Sequence, residues 1–547
     1  MKQRLALFPL LALAVLARVA AGQEHEHASA APERLGTVHF ATSCSAPAAP
    51  QFDRAVALLH SFSFGASIAA FDDTLRTDPS CTVAYWGEAL ASWGNPFAAG
   101  QKSLAQIRRG QEALGRAGQA APATERERAY LAAVAELFGD PEHRDQRTRL
   151  AAYRDAMGAL ASRYPEDMEA SIFYALALAQ AAAPSDKTYA DLLRAGAILE
   201  PLVAAHPDHP GLAHYIIHSY DVPPLAARAL DAARRYARIA PSAPHALHMP
   251  SHTFTRLGLW QESIDTNIAS AAAARRDGAT AEELHASDYQ MYAYLQTGQD
   301  AAARQLLESL PEIAAHFDPE STAAAAPGVA GVFALAAIPA RWALERGDWS
   351  AAARLEPRPS RFPFTEAITH FARALGASRS GDRAVARSAI DALRQVESEL
   401  RGTHEDYWAE QVEIERRAAA AWLALAEGRT KDALAVMSEA AALEDGTEKN
   451  AITPGPIAPA RELLGEMLLE GHEPAQALAA FRATLEKEPN RFRALAGAAR
   501  AAALSGDGGA AAKLYSRLLQ VAERADDPGR AELREARRFV AATAAPW

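Results

Sequence analysis

Residues 463–489 read LLGEMLLEGHEPAQALAAFRATLEKEP. Gly465 and Ala477 are small, Phe481 is aromatic, and Pro489 closes the stretch. Small residues at this spacing let two antiparallel helices approach closely, and a proline stops the second helix. The stretch therefore predicts a helical hairpin.

Similar hairpins recur along the chain, and the 34-residue spacing of several of them is the period of the tetratricopeptide repeat (TPR). The next unit continues with Ala498, Gly506 and Tyr515, and an N-terminal unit shows Phe71 followed by Pro79. Alanine, leucine, arginine and glutamate dominate the chain, without alternating β-branched runs. We therefore predict an all-α fold, a TPR superhelical solenoid of antiparallel helix pairs.

The clarity of the repeat varies along the chain and suggests its domain organisation. The middle of the chain is less regular, although stretches such as ALERGDWSAAA (343–353) still indicate helix–turn–helix joints. The predicted segments are a signal peptide (1–22), a flexible N-terminal segment (23–47), an N-terminal TPR array with a His-rich concave face (48–310), divergent helical hairpins (311–450) and C-terminal TPR repeats (451–547).

Charge and hydropathy limit the partners and the location. A net charge of −11 over 547 residues leaves no basic footprint, which argues against nucleic acid as a partner. The apolar run Leu5–Leu16 follows Lys2 and Arg4 and precedes small residues, which is typical of a secretory signal peptide. No later segment is long and apolar enough to predict a transmembrane helix. We expect a protein that is periplasmic or secreted.

The chain has two cysteines, Cys44 and Cys81. In an oxidising compartment, an isolated pair predicts one disulfide, here between the N-terminal segment and the turn at residues 78–81. The alternative is two buried, unreactive thiols.

Two histidine pairs occupy matching positions in adjacent repeats: His214/His218 and His248/His252. The pairs are 34 residues apart, one TPR period. Each pair is spaced i,i+4, so both rings project from one helix face. Because the first helices of neighbouring repeats lie side by side, we expect both pairs on one patch of the concave surface.

The repeat register adds further side chains to this patch. Gly258 and Gly298 mark the same turn in consecutive repeats, 40 residues apart, and this shift brings His245, His285 and Asp288 to the same face. Imidazoles and carboxylates on packed helices can bind zinc, copper or iron. The predicted metal ligands are His214, His218, His245, His248, His252, His285 and Asp288.

Two other interpretations of the patch stay open. The histidines can line a polar groove for a peptide or small ligand, or they can be hydrogen-bonded packing. Further candidates for ligand contacts are Tyr220, Asp221, Tyr292 and Glu169. Asp221 can orient an imidazole, whereas Asp288, Tyr292 or Glu169 can act as a general base only within a few ångströms of a metal. The motifs of serine hydrolases, nucleotide-binding loops and zincins are absent from the sequence.

Several segments are similar to a largely uncharacterised group of secreted bacterial TPR proteins. These segments are GLAHYIIHSYD (211–221), PHALHMPSHTFTRLG (244–258), HASDYQMYAYLQTGQD (285–300), LLHSFSFGASIAAFDDTLRTDPSCTVAYWGEAL (58–90) and TPGPIAPARELLGEMLLEG (453–471). The resemblance covers most of the chain after the signal peptide and implies an exported helical solenoid, without implying an activity. The family pattern has histidine where this chain has Gly94 and Asn450, so any site formed at those places is altered here.

Together these features favour an exported TPR scaffold that binds a peptide, a protein or a small ligand in a His-lined concave groove. The most specific version of this hypothesis adds a bound transition metal (Zn, Cu or Fe). We expect no nucleotide cofactor. The alternative is a metal-dependent enzyme, hydrolytic or oxidative, which needs a metal with an open coordination position. A third possibility is a structural assembly factor of the cell envelope.

Overall fold

The computed structural model describes residues 33–98, 100–321 and 324–544. Within these ranges the regular elements are α-helices and one 3-10 turn, Ala226–Ala229, and there is no strand. The predicted all-α fold is confirmed. The predicted signal peptide (1–22) lies outside the described residues.

The N-terminal half is a row of helical hairpins in which each helix packs against the next. First helices of successive hairpins also touch each other, as α1 touches α3 and α7 touches α9. The helices are α1 (Ala49–His60), α2 (Phe64–Thr77), α3 (Ala84–Trp93), α4 (Leu104–Ala117), α5 (Glu125–Phe138), α6 (Gln146–Arg163), α7 (Met168–Ala181), α8 (Ala190–Ala205), α9 (Pro210–Ser219), α10 (Leu230–Ile239), α11 (Pro244–His248), α12 (Pro250–Arg256) and α13 (Trp260–Arg276).

The C-terminal half continues the same pattern, including the region whose sequence repeat is loose. Helices α14, α16, α18, α20, α22 and α24 touch in that order, and α14 also touches α24, which closes the superhelical turn. The helices are α14 (Thr280–Thr297), α15 (Asp300–Ala315), α16 (Gly328–Glu345), α17 (Trp349–Ala353), α18 (Pro363–Ser380), α19 (Arg383–Gly402), α20 (Asp406–Ala426), α21 (Thr430–Gly446), α22 (Ala460–Glu470), α23 (Pro474–Lys487), α24 (Phe492–Leu504), α25 (Gly508–Val521) and α26 (Ala531–Ala544).

Residues 463–489 form the predicted helical hairpin, which consists of most of α22 and all of α23. Phe481 is fully buried, and its ring lies so close to Gly465 and Gly497 that an added Cβ would come within 2.8 Å and 2.4 Å of it. Because real Cβ contacts are longer than this, larger residues at the two glycines would push the helices apart. The aromatic and small residues of the repeat therefore fit together across two neighbouring hairpins.

The segment between α21 and α22, residues 447–459, lies inside the superhelix, and we call it the interior loop. Ile452 and Thr453 are buried. Arg341 of α16 donates hydrogen bonds to the carbonyls of Gly455 and Pro456 at 2.9 Å and 3.0 Å. A buried loop needs partners for its backbone polar groups, and this arginine supplies two of them.

The N-terminal segment is tied to the hairpins by a disulfide between Cys44 and Cys81. The predicted disulfide is confirmed. Phe40 is buried and its ring lies 5.2 Å from that of Phe52. The described part of the segment predicted to be flexible (23–47) is thus packed, because its few apolar side chains reach the core of the first hairpins.

Among the described residues, α16 has the length and apolar composition of a membrane-spanning helix. Most of it is buried against the rest of the protein. A core helix has the same composition, so α16 is weak evidence for a membrane span.

Candidate metal centre

Six histidines from consecutive hairpins converge inside the protein. Helices α9, α11 and α12 each begin with a proline, whose fixed φ suits the first helical turn. These helices and α14 point the histidine side chains inward, where they are between 0% and 7% exposed. The six are His214 and His218 on α9, His245 and His248 on α11, His252 on α12 and His285 on α14.

The six histidines form two groups, which we call triad A and triad B. In each group, one possible ligand atom from every residue lies within 4.8 Å of the other two. The triads are neighbours, since the ring centroids of His218 and His252 lie 6.1 Å apart and those of His245 and His248 lie 5.9 Å apart. Triad A is His214, His218 and His245, and triad B is His248, His252 and His285.

Hydrogen bonds determine which nitrogen carries the proton in two residues of triad B. Nδ1 of His248 lies 2.7 Å from Oδ1 of Asn267, whose amide nitrogen donates to the carbonyl of Ser263. Nδ1 of His252 lies 2.9 Å from Oδ2 of Asp221. Both oxygens accept, so each histidine carries its proton on Nδ1 and keeps a lone pair on Nε2.

The two Nε2 atoms of His248 and His252 face each other at 3.1 Å. Burial lowers the pKa of both residues, which keeps the rings neutral. Two lone pairs at this distance repel each other unless a cation lies beside both. Two nitrogens bound to one tetrahedral zinc at about 2.0–2.1 Å would lie roughly 3.3 Å apart. The observed spacing therefore suits a shared metal ion.

In triad A, hydrogen bonds hold the proton on Nδ1 of His214 and of His245. Nδ1 of His214 donates to the carbonyl of His60 at 2.6 Å, and its Nε2 lies 3.1 Å from Nε2 of His218. Nδ1 of His245 lies 3.1 Å from a carboxylate oxygen of Glu282, and its Nε2 is buried without a hydrogen-bond partner. Triad A therefore also presents ring nitrogens that are free to bind a metal.

Burial lowers the pKa of five of the six triad histidines. It lowers the pKa of His214, His218 and His248 well below the usual value, and it lowers the pKa of His285 to about 3. A metal binds the neutral form of imidazole. Protons therefore compete weakly with a metal at these sites.

Aromatic rings pack against both triads. Phe62 lies 4.4 Å from His214, and Phe97 stacks on His218 at 3.9 Å, measured between ring centroids. Tyr289 of α14 lies with its hydroxyl 3.3 Å from Nε2 of His252. Aromatic side chains thus pack directly against histidines of both triads.

A third group of possible ligands, His60, Glu169 and His209, lies nearby. The two carboxylate oxygens of Glu169 accept hydrogen bonds from Nε2 of His60 and of His209, each at 2.9 Å. Nδ1 of His60 is also 3.0 Å from the hydroxyl of Tyr215. Both oxygens of the carboxylate are thus paired, and these hydrogen bonds connect α1, α7 and the start of α9.

Three other residues singled out in the sequence lie outside the triads. Asp288 forms a buried ion pair with Nε of Arg341 at 2.9 Å. The hydroxyl of Tyr292 donates to Glu488 at 3.1 Å, and that of Tyr220 donates to a glutamate of α8 at 2.8 Å. In contrast, the predicted role of Asp221 as an orienting group matches its contact with His252.

Two side chains that share a helix with His285 and touch the triads were not predicted from the sequence. Glu282 lies three residues before His285 and Tyr289 four residues after it, so all three lie on one face of α14. The i,i+3 and i,i+4 spacing that revealed the histidine pairs could have found them. Lys449 of the interior loop lies 3.6 Å from Asp221, but no helical spacing in the sequence links these two residues.

The two positions at which the resembling family has histidine also lie outside the triads. Gly94 ends α3 with a φ of +69°, which favours glycine. Asn450 belongs to the interior loop, where its side-chain oxygen accepts a hydrogen bond from the amide of Ile452 at 3.1 Å. Neither departure removes a triad ligand.

Comparison with protein-family models and with curated proteins gives no match. Among solved structures, the chain is similar to human IFIT1 with m7Gppp-AAAA (12% identity, TM-score 0.39, covering 81% of this chain and 90% of that one). It is also similar to the TPR domain of P58(IPK) (16% identity, TM-score 0.21, covering 70% of this chain and 100% of that one). Both TM-scores are below 0.5, so the architecture described above rests on the helices of this chain alone.

Proposed function

We propose that this chain is a transition-metal protein in which triad A and triad B each hold one ion. The observation that carries the proposal is the pair of Nε2 atoms of His248 and His252, which face each other at 3.1 Å while both protons are held on Nδ1. The matching Nε2 pair of His214 and His218, also 3.1 Å apart, supports an equivalent site one hairpin earlier.

The donor set favours zinc or copper. Each triad offers only imidazole nitrogens, and imidazole suits zinc and copper, whereas magnesium, calcium and manganese prefer oxygen ligands. Non-haem iron sites of the facial type include a carboxylate ligand. The two carboxylates that touch the triads, Asp221 and Glu282, bind Nδ1 atoms of histidines and orient the rings instead.

Burial argues against a peptide as the ligand of the histidine patch. The triad side chains are at most 7% exposed, and Phe62 and Phe97 pack against triad A. An extended peptide needs a continuous open surface along the concave face. A metal ion is the class of ligand that fits between these buried nitrogens.

A second candidate function is catalysis at these metals. Three protein ligands leave an open coordination position on a four-coordinate ion, as in catalytic rather than structural zinc sites. The bases considered for hydrolysis, Asp288, Tyr292 and Glu169, are all engaged elsewhere. Hydrolysis would therefore depend on water activated by a zinc ion itself, whereas copper would instead support an oxidative reaction.

The disulfide supports an exported location. Cys44 and Cys81 are bonded, and such bonds persist in oxidising compartments. We therefore propose an exported protein, located in the periplasm or the medium.

The test is metal analysis of the mature chain purified without a histidine tag. The protein is stripped with a chelator, reconstituted separately with zinc and copper, and desalted before elemental analysis. We expect two ions per chain, one fewer in the His248→Ala/His252→Ala variant, and one fewer in the His214→Ala/His218→Ala variant.

The matched control is the loss of two surface histidines, His39→Ala/His143→Ala, whose side chains are 87% and 77% exposed. It should bind as much metal as the unchanged chain. Circular dichroism shows whether each variant is folded. A folded, unchanged chain that retains no metal after reconstitution would overturn the proposal. Binding of azide to the copper form, seen as a new absorption band, would support the open position and hence the second candidate.

A further inference from the structure

A cavity of about 90 Å³ lies between the interior loop and helices α18, α20, α21 and α23. Its lining includes Lys449, Thr453 and Ile457 of the loop. The same loop touches Tyr289 of the metal centre through the carbonyls of Ala451 and Thr453, each 3.2 Å from the tyrosine hydroxyl. The cavity is therefore a neighbour of triad B, but it is lined by different residues.

One side of the cavity is apolar. Phe364 and Trp408 stack face to face, with ring centroids 3.8 Å apart and an interplanar angle of 4°. Phe333, Val412 and Ile457 extend this surface. A ligand that covers it gains free energy in proportion to the apolar area removed from water.

The other side of the cavity carries buried donors without acceptors. Nζ of Lys449, Nε2 of Gln411 and Nε of Arg461 are all buried and have no hydrogen-bond partner. The Lys449 side chain is only 5% exposed, and its nearest carboxylate oxygen, on Asp221, lies 3.6 Å away. A buried donor left unpaired costs free energy, so these three groups favour a ligand that accepts hydrogen bonds.

Five carboxyl groups also line the cavity, and three of them already have partners. Asp445 pairs with Lys487, Glu448 pairs with Lys187, and Glu488 accepts a hydrogen bond from Tyr292. Burial raises the pKa of Glu415 to about 8 and that of Glu444 to about 7. Both groups are therefore at least partly uncharged near neutral pH. They oppose an anion less than two ordinary glutamates would.

We infer that this cavity binds a small organic carboxylate with an apolar body. The carboxylate accepts hydrogen bonds from Lys449 and Gln411, while the body lies on the stacked rings of Phe364 and Trp408. This site is separate from the metal sites, and its occupancy does not require them.

The test uses isothermal titration calorimetry on the mature chain with phenylacetate as the probe. Phenylacetamide removes the charge, phenethylamine reverses it, and acetate lacks the apolar body. Phenylacetate should bind most tightly of the four. Lys449→Met should weaken it about tenfold or more, as expected for the loss of a hydrogen bond to a charged group.

The matched control is Lys431→Met, an exposed lysine of α21, which should leave the affinity unchanged. Ala483→Phe, which fills part of the cavity wall, should also weaken phenylacetate. If Lys449→Met does not fold, Gln411→Leu takes its place. Absent binding of phenylacetate, equal binding of phenylacetamide, or tighter binding of phenethylamine would each overturn the inference. Tighter binding of the amine would instead show that Glu415 and Glu444 recognise a cation.

Discussion

Oδ2 of Asp221 accepts a hydrogen bond from Nδ1 of His252 at 2.9 Å, and its other oxygen accepts one from Nε of Arg256 at the same distance. The carboxylate lies just after the end of α9, whereas both partners belong to α12, three helices further along. Asp221 thus holds the ring of one triad B histidine from the preceding repeat. Such contacts fix the tautomer and raise the basicity of the ligand.

Asp221→Asn should therefore weaken metal binding at triad B without removing a ligand. We expect a loss of roughly 10- to 100-fold in affinity, measured by competition with a chromophoric chelator. Saturating metal should still give the full number of ions per chain. The control is Glu200→Gln, which removes a half-exposed carboxylate paired with Arg228 and should leave the affinity unchanged. An unchanged affinity in Asp221→Asn would show that this contact does not tune the site.

A second prediction concerns the role of Asp288. The sequence predicts it as a metal ligand, whereas the structure pairs it with Arg341. Both side chains are 0% exposed. Asp288→Asn should lower the free energy of unfolding by about 3–5 kcal/mol, the usual cost of leaving a buried charge unpaired. Metal affinity should stay the same. Urea unfolding and chelator competition measure the two effects, and a specific loss of one ion would restore Asp288 to the ligand set.

The fold was predictable because its determinants are local. The small residue Gly465 and the aromatic Phe481 have counterparts one period later, Ala499 and Tyr515, and each hairpin contacts mainly its neighbours. The histidine patch was predictable for the same reason, since His214 and His248 differ by one period. The sequence predicted one continuous patch, whereas the structure divides it into two triads, each completed by a histidine from the next repeat, His245 or His285.

The sequence could not predict the partner of Asp288 or the position of the interior loop. Both depend on contacts between residues that are far apart in the chain. The 40-residue shift places Asp288 beside the patch, but Arg341, 53 residues further on, pairs with it. The interior loop lies in the superhelix because that same arginine binds its carbonyls, so Lys449 approaches Asp221 from more than 200 residues away. Such pairings between distant repeats leave no periodic trace in one sequence.

The disulfide yields a prediction about stability. Cys44 and Cys81 are 37 residues apart, and closing a loop of that length should stabilise the fold by about 4 kcal/mol in the chain-entropy model. Cys44→Ala/Cys81→Ala should therefore unfold at lower urea concentration. Dithiothreitol should destabilise the unchanged chain to a similar extent and leave the variant unaffected. A response of the variant to dithiothreitol would mean that the reductant acts elsewhere.

Glu169 yields a prediction about pH. Burial would raise the pKa of this carboxyl, but the charges and hydrogen bonds of His60 and His209 outweigh burial and lower the pKa to about 2. The folded value is thus below the ordinary value of 4.5 for an unfolded chain. Between these two values the unfolded state binds more protons, so the stabilisation from Glu169 is complete above about pH 4.5 and is lost as the pH falls towards 2.

Glu169→Gln should consequently reduce the free energy of unfolding by about 3 kcal/mol at neutral pH, and the difference from the unchanged chain should shrink below pH 4.5. Urea unfolding at a series of pH values measures this difference. Glu125→Gln, which removes an exposed carboxylate paired with Arg163, is the matched control and should show a small difference without that trend. A Glu169→Gln effect that stays constant down to pH 2 would mean that shape, rather than the charge of the carboxylate, stabilises this part of the fold.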